Sequence, residues 1–178
     1  MGTKVLVASL DPKFSVLAQT DTNSYRKFYS NTAEGLFNCI GELRETICSG
    51  YEIVHLFSDV LPNGSIVDTA GETVLGSDLI KSCTQSGVKL LWVASANKAE
   101  GYIKGFNLSG MPMNLVMTIS RSESNFPSFL ENLLSKMSGG QPMPVAWVAI
   151  APQTQLDPQH RILPECIFAA GRASVVLR

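Results

Sequence analysis

Apolar residues gather in short runs separated by polar or turn-forming residues. The runs Lys4–Leu10 (KVLVASL), Tyr51–Phe57 (YEIVHLF), Lys89–Ser95 (KLLWVAS), Asn114–Ser120 (NLVMTIS) and Pro144–Ile150 (PVAWVAI) each have the length of a buried strand. Tyr51–Phe57 is apolar on both faces apart from Glu52 and His55, which suits a central strand. Between the runs the spacing becomes helical. Leu36, Ile40, Leu43 and Ile47 repeat at helical intervals, Asn31 and Glu34 precede them at capping-box spacing, and Gly50 ends the predicted helix. Ser77 caps a helix over Asp78–Gln85, and NKAEGYIKGF, from Asn97, reads as another. Pro127 opens a helix whose apolar face is Phe126, Phe129, Leu130, Leu133, Leu134 and Met137.

The remaining stretches are less regular. Residues 13–30 read as a strand near 14–19 followed by a loop. Asn63-Gly64 and Gly71 punctuate a small hairpin through SIVDT. Pro152, Pro158 and Pro164 mark a long loop over 151–165, and IFAAGRASVVLR reads as a last strand. Strands alternating with helices predict right-handed crossovers and a mostly parallel sheet covered on both faces. The expected fold is a single α/β domain over 1–178, a three-layer αβα sandwich.

Composition adds limits. A chain of 178 residues with 45% apolar and 16% charged residues is a folded domain with a sizeable core. A net charge of −1 and the absence of Lys/Arg runs argue against nucleic acid and anionic membranes as partners. MGTKVLVASL is too short and too lightly charged to export the chain, and Leu6 breaks the myristoylation pattern. Cys39, Cys48, Cys83 and Cys166 are scattered without a CxxC, which predicts reduced thiols in a cytoplasmic protein and no zinc site. Trp92 and Trp147 lie in apolar runs and are expected in the core.

Ligands of open parallel sheets collect beyond the carboxyl ends of the strands. Three loops qualify: Ser58-Asp59-Val60, Ser95-Ala96-Asn97 and Ser120-Arg121-Ser122. If the second and third core strands are neighbours, Asp59 and Ser95 face each other across a shallow cleft. No strand leads into GxGxxG, GxxxxGK[ST] or GxSxG, so dinucleotide, P-loop and nucleophile-elbow chemistries lack their motifs. The histidines are His55, inside a strand and read as a hydrogen-bonded core residue, and His160, in the Pro-rich loop.

The order KVLVASLDP, YEIVHLFSDV, GETVLGSDLIKSC, GVKLLWVASANKAEGYIKGF, FPSFLENLLSKMSGG and PVAWVAIAPQ resembles the CHAT family. These are caspase-like cysteine peptidase domains of the caspase/separase fold, often attached to tetratricopeptide repeats in bacteria. The resemblance runs from about residue 4 to 151. It implies a His-Gly after the Tyr51–Phe57 strand and a nucleophilic Cys after the Lys89–Ser95 strand. Here Asp59 stands in the place of that histidine, Val60 in that of the glycine and Ser95 in that of the cysteine, while His55 matches an earlier histidine of the strand. His55, Ser58, Asn97 and Arg121 are expected to line the cleft, with a solvated pair of Arg121 and Glu123 as the other reading.

Both halves of the dyad are therefore changed. Serine is a far poorer nucleophile than thiolate without a suitable base, and an exposed carboxylate is a weak base at neutral pH. Val60 would also crowd the approach of a substrate backbone. Cys83, read as lying mid-helix, and Cys166, read as following a distant loop, are not expected to substitute. The expectation is a catalytically silent caspase-like domain that needs no cofactor. It would bind another protein, such as a caspase-like or repeat protein in a bacterial signalling or defence system, or pair with its own copy through an edge such as ASVVLR. Two alternatives stand beside it. One is a hydrolase using Ser95 with a non-standard base, from His55 or a partner chain. The other is a ligand-sensing α/β domain.

Overall fold

A computed structural model describes residues 2–96, 100–106, 113–118, 126–156, 166–170 and 177. Its centre is a six-stranded sheet in the order β2-β1-β3-β7-β8-β9. The strands are β1 (Lys4–Ser9), β2 (Asn31–Leu36), β3 (Ile53–Phe57), β7 (Leu90–Ala94), β8 (Asn114–Thr118) and β9 (Cys166–Ala170). The pairs from β2 to β8 are parallel, and β9 runs antiparallel to β8. A small antiparallel sheet, β4 (Asp59–Val60), β5 (Ser65–Val67) and β6 (Thr73–Leu75), follows β3 directly.

Period-two alternation along the central strands divides the core. Val5, Val7, Ile53, Phe57, Leu90, Trp92 and Val116 point to one face, where α1 (Ser15–Arg26), α5 (Phe126–Ser138) and α6 (Met143–Leu156) pack. Leu6, Ala8, Val54, Leu56, Leu91, Val93 and Leu115 point to the other, under α2 (Ile40–Ile47) and α3 (Gly76–Gln85). The result is the expected three-layer sandwich around a mostly parallel sheet. A sixth helix, α4 (Glu100–Gly105), follows β7.

Four expectations are corrected. Residues 15–26 form helix α1, not a strand, because its inward face carries Asp21, Thr22 and Ser24 among the apolar residues and so hides its period. Asn31 and Glu34 do not cap a helix. They lie in β2, which lengthens the ladder of β1 from Lys4↔Asn31 to Ser9↔Leu36. Helix α2 starts later, and its cap comes from another part of the chain: the Ile40 N–H donates to Asp68 Oδ2 at 3.1 Å. Pro144–Ile150 is part of helix α6, with Met143, Ala146, Trp147 and Ile150 buried at helical spacing. A seven-residue apolar run fits a strand or a buried helix equally well, and here the helix won. The strand that follows β8 in the sheet is instead β9, antiparallel to it. The predicted loop over 151–165 is corrected in its first part, since 151–156 with Pro152 belong to α6, while 157–165 and, of the last strand, 171–176 and 178 lie outside the described residues.

Candidate functional site

The β3–β7 ladder, with Phe57 opposite Ala94, continues for one residue past both strands. The Ser58 N–H donates to the Ala94 carbonyl at 3.0 Å, and the Ser95 N–H donates to the Thr118 carbonyl at 2.9 Å. Positions 58 and 95 are thus neighbours at the carboxyl ends of adjacent central strands, where the sequence placed a cleft. The side chains at that address decide what it can do.

Ser58 is fully buried, and its hydroxyl donates to the Asp59 and Val67 carbonyls, both at 3.1 Å. It ties the end of the main sheet to the small one and offers no surface to a ligand. Asp59 then pairs with Val67, and Val60 with Ile66, so the chain enters the small sheet at once. The Asp59 carboxylate forms an ion pair with Lys13, whose ammonium also lies 3.3 Å from Asp11. Asp11 in turn accepts the Lys13 N–H at 2.8 Å and caps the short 3-10 turn Pro12–Phe14. Partial burial alone would lower the Lys13 pKa, but hydrogen bonds and charge from Asp59 and Asp11 outweigh it and raise the pKa above its usual value. Ser95 has no exposed surface. A nucleophile must meet its substrate, and here the hydroxyl is inside.

His55 sits on the α1 face of β3 with no exposed surface. Its ring stacks on Phe57 at 4.8 Å on one side and on Trp92 at 5.0 Å on the other. Nδ1 meets the Tyr25 hydroxyl at 3.3 Å, and Nε2 lies 3.6 Å from the Asp21 carboxylate. It is the hydrogen-bonded core histidine expected, rather than a wall of an open cleft. Burial, with the Asp21 charge and Tyr29 adding to it, holds the Tyr25 hydroxyl well above its usual pKa.

Asn97 and Arg121, like Ser120, Ser122, Glu123 and His160, lie outside the described residues. Cys83 is buried on α3, and burial pushes its thiol up to about 12, the reverse of an activated nucleophile. Cys166 is closer than its place in the sequence suggested, since it opens β9 opposite Thr118. Sequence reading missed Asp21, Tyr25 and Lys13. The four-residue spacing of Asp21 and Tyr25 was a signal, but only for a chain already read as helical there. Among the described residues, no cluster of three or more His, Cys, Asp or Glu could hold a metal ion, and no helix is long and apolar enough to cross a membrane.

No family model matches this chain, and no curated protein matches it. Among solved structures it is similar to a Burkholderia pseudomallei protein described as pilus assembly-related. The TM-score is 0.42 and the identity 14%, over 77% of this chain and 90% of that one. A likeness of that size carries no functional argument.

Proposed function

We propose that this chain is a catalytically silent caspase-like domain, similar to the CHAT family, that serves as a protein-binding or regulatory module. One juxtaposition carries the reading. The ends of β3 and β7 lie side by side, as a dyad across two strands requires, yet Asp59 is tied to Lys13 and Ser95 is interior. The Asp59 carboxylate is engaged by the Lys13 ammonium rather than by a hydroxyl, and a hydroxyl without access meets no substrate. The hydrolase alternative gains nothing from His55, which faces Asp21 and Tyr25 in the core. The free thiols Cys39, Cys48 and Cys83 favour a reducing compartment, so the cytosol is the proposed location. The proposed partner is another protein. β2 ends the central sheet among the described residues, and its exposed Leu36 suits strand-to-strand association.

The test is covalent labelling with a serine-directed fluorophosphonate, alongside cleavage assays on mixed peptides. No labelling and no cleavage are expected. Labelling of the wild type that disappears in Ser95→Ala overturns the silent reading and favours the hydrolase.

A further inference from the structure

The segments leaving the two strand ends come back together. Past Asp59 and Val60 the chain turns through residues 61–64, and past Ser95 it enters α4. A Cβ on Gly64 would lie 2.2 Å from the Gly105 Cα, and one on Gly105 would lie 2.2 Å from the Gly64 carbonyl oxygen. A Cβ on Gly101 would lie 2.4 Å from the Leu61 oxygen and 2.9 Å from Val60 Cγ1. Backbone meets backbone at distances that leave room for glycine only.

The three glycines are there for different reasons. Gly64 has φ 85, so its turn needs glycine in any case. Gly101 and Gly105 are not among the positive-φ glycines, and their helical backbone would suit alanine. Each costs a helix about 1 kcal/mol relative to Ala, and a helix of six residues does not stand by itself. What these two glycines supply is close approach. α4 is therefore held in place by its seat on the turn and on Val60 and by its packing against α3, and hardly by its own propensity.

We infer that α4 and the 61–64 turn form a latch, sealed by glycine contacts, whose opening exposes Ser95, which is buried at the neighbouring ends of β3 and β7. The latch opens locally, without unfolding of the sheet. It stands on these contacts and not on the family resemblance, so a reactive Ser95 would sink the silent reading and leave the latch in place.

The experiment reads the accessibility of position 95 through a thiol. Ser95→Cys is treated with maleimide, and labelling is followed peptide by peptide, with buried Cys83 as a monitor of global unfolding and exposed Cys48 as the fast reference. The position-95 thiol is expected to label far more slowly than Cys48. Adding Gly101→Ala improves the helix but leaves no room for docking. Labelling at position 95 is then expected to rise at least about tenfold while Cys83 stays slow. No rise overturns the latch, and so does a rise shared by Cys83. Should Gly101→Ala fail to fold, hydrogen exchange on the unsubstituted chain decides. Amides of α4 and of 61–64 are expected to exchange together and ahead of β3 and β7. Exchange only in step with those strands overturns the latch.

Discussion

The His55 imidazole and the Asp21 carboxylate lie 3.6 Å apart with neither side chain exposed. A helix that looked polar in sequence thus delivers a carboxyl group to the middle of the central sheet. Burying such a group is costly unless partners accompany it. The facing imidazole is itself held by the Tyr25 hydroxyl, with Phe57 and Trp92 closing its two faces.

His55→Leu is therefore expected to destabilise the fold by about 3 kcal/mol, because it removes the imidazole that faces the buried Asp21 carboxylate and the Tyr25 hydroxyl. Asp21→Asn keeps the shape and should cost less, about 1–3 kcal/mol. Urea unfolding checks both through a lower midpoint at an unchanged m-value. The double variant should lose less than the sum, because the two side chains share one interaction.

Alkali should unfold this protein sooner than its core would suggest. Burial holds the Tyr25 and Tyr29 hydroxyls above their usual 10.0 and pushes the Cys83 thiol from 9.0 to about 12. In the unfolded chain these groups lose their protons near the ordinary values, while the folded chain keeps them. The folded state then binds more protons, so stability is complete at lower pH and falls as pH rises above about 9. Each fully coupled group contributes a slope of about 1.4 kcal/mol per pH unit. Urea midpoints measured from pH 7 to 11 should trace the fall, and Tyr25→Phe should make it shallower.

Much of this architecture was written in the sequence. The runs at Lys4, Tyr51, Lys89 and Asn114 became central strands because burial on both faces leaves an apolar signature that needs no context. The strand ends that carry Ser58, Asp59 and Ser95 followed from that reading, while the pairing of β3 with β7, a condition in the sequence, is seen in the ladder. What stayed hidden depends on partners distant in the chain. β2 is a largely polar segment that becomes a strand by pairing with β1, and its Asn31–Glu34 spacing imitates a helix cap. The real cap of α2 comes from Asp68, 28 residues away. The stretch of α6 from Met143 to Ala151 is apolar throughout, so no period separates it from a buried strand. That Lys13 neutralises Asp59 follows only once the turn after β1 is folded against the end of β3.

The Lys13–Asp59 pair should behave as a surface ion pair and not as a reaction centre. Both side chains are partly exposed, so Asp59→Asn is expected to cost no more than about 1 kcal/mol at neutral pH. The cost should shrink in about 1 M salt, where charges are screened within about 3 Å. The raised Lys13 pKa gives a second signature: its contribution is present at pH 7 and disappears as pH climbs through and beyond 10.5. Comparing wild type and Asp59→Asn by thermal unfolding at two salt concentrations, and again at alkaline pH, checks both features.

Two glycines with nearly the same backbone separate strain from space. Gly87 has φ 82 with nothing within 4 Å of a built Cβ, whereas Gly64 has φ 85 with the Gly105 Cα at 2.2 Å. Gly87→Ala meets only the left-handed penalty and should cost about 1–2 kcal/mol. Gly64→Ala meets the same penalty and a clash besides. If the clash fell within the core, its cost would rise by a further 1–3 kcal/mol or so. The latch allows a different outcome, since α4 can leave its seat while the sheet stays folded. Gly64→Ala is therefore expected to match Gly87→Ala in the unfolding free energy taken from urea titration, to within about 1 kcal/mol. Only Gly64→Ala should lose hydrogen-exchange protection in α4.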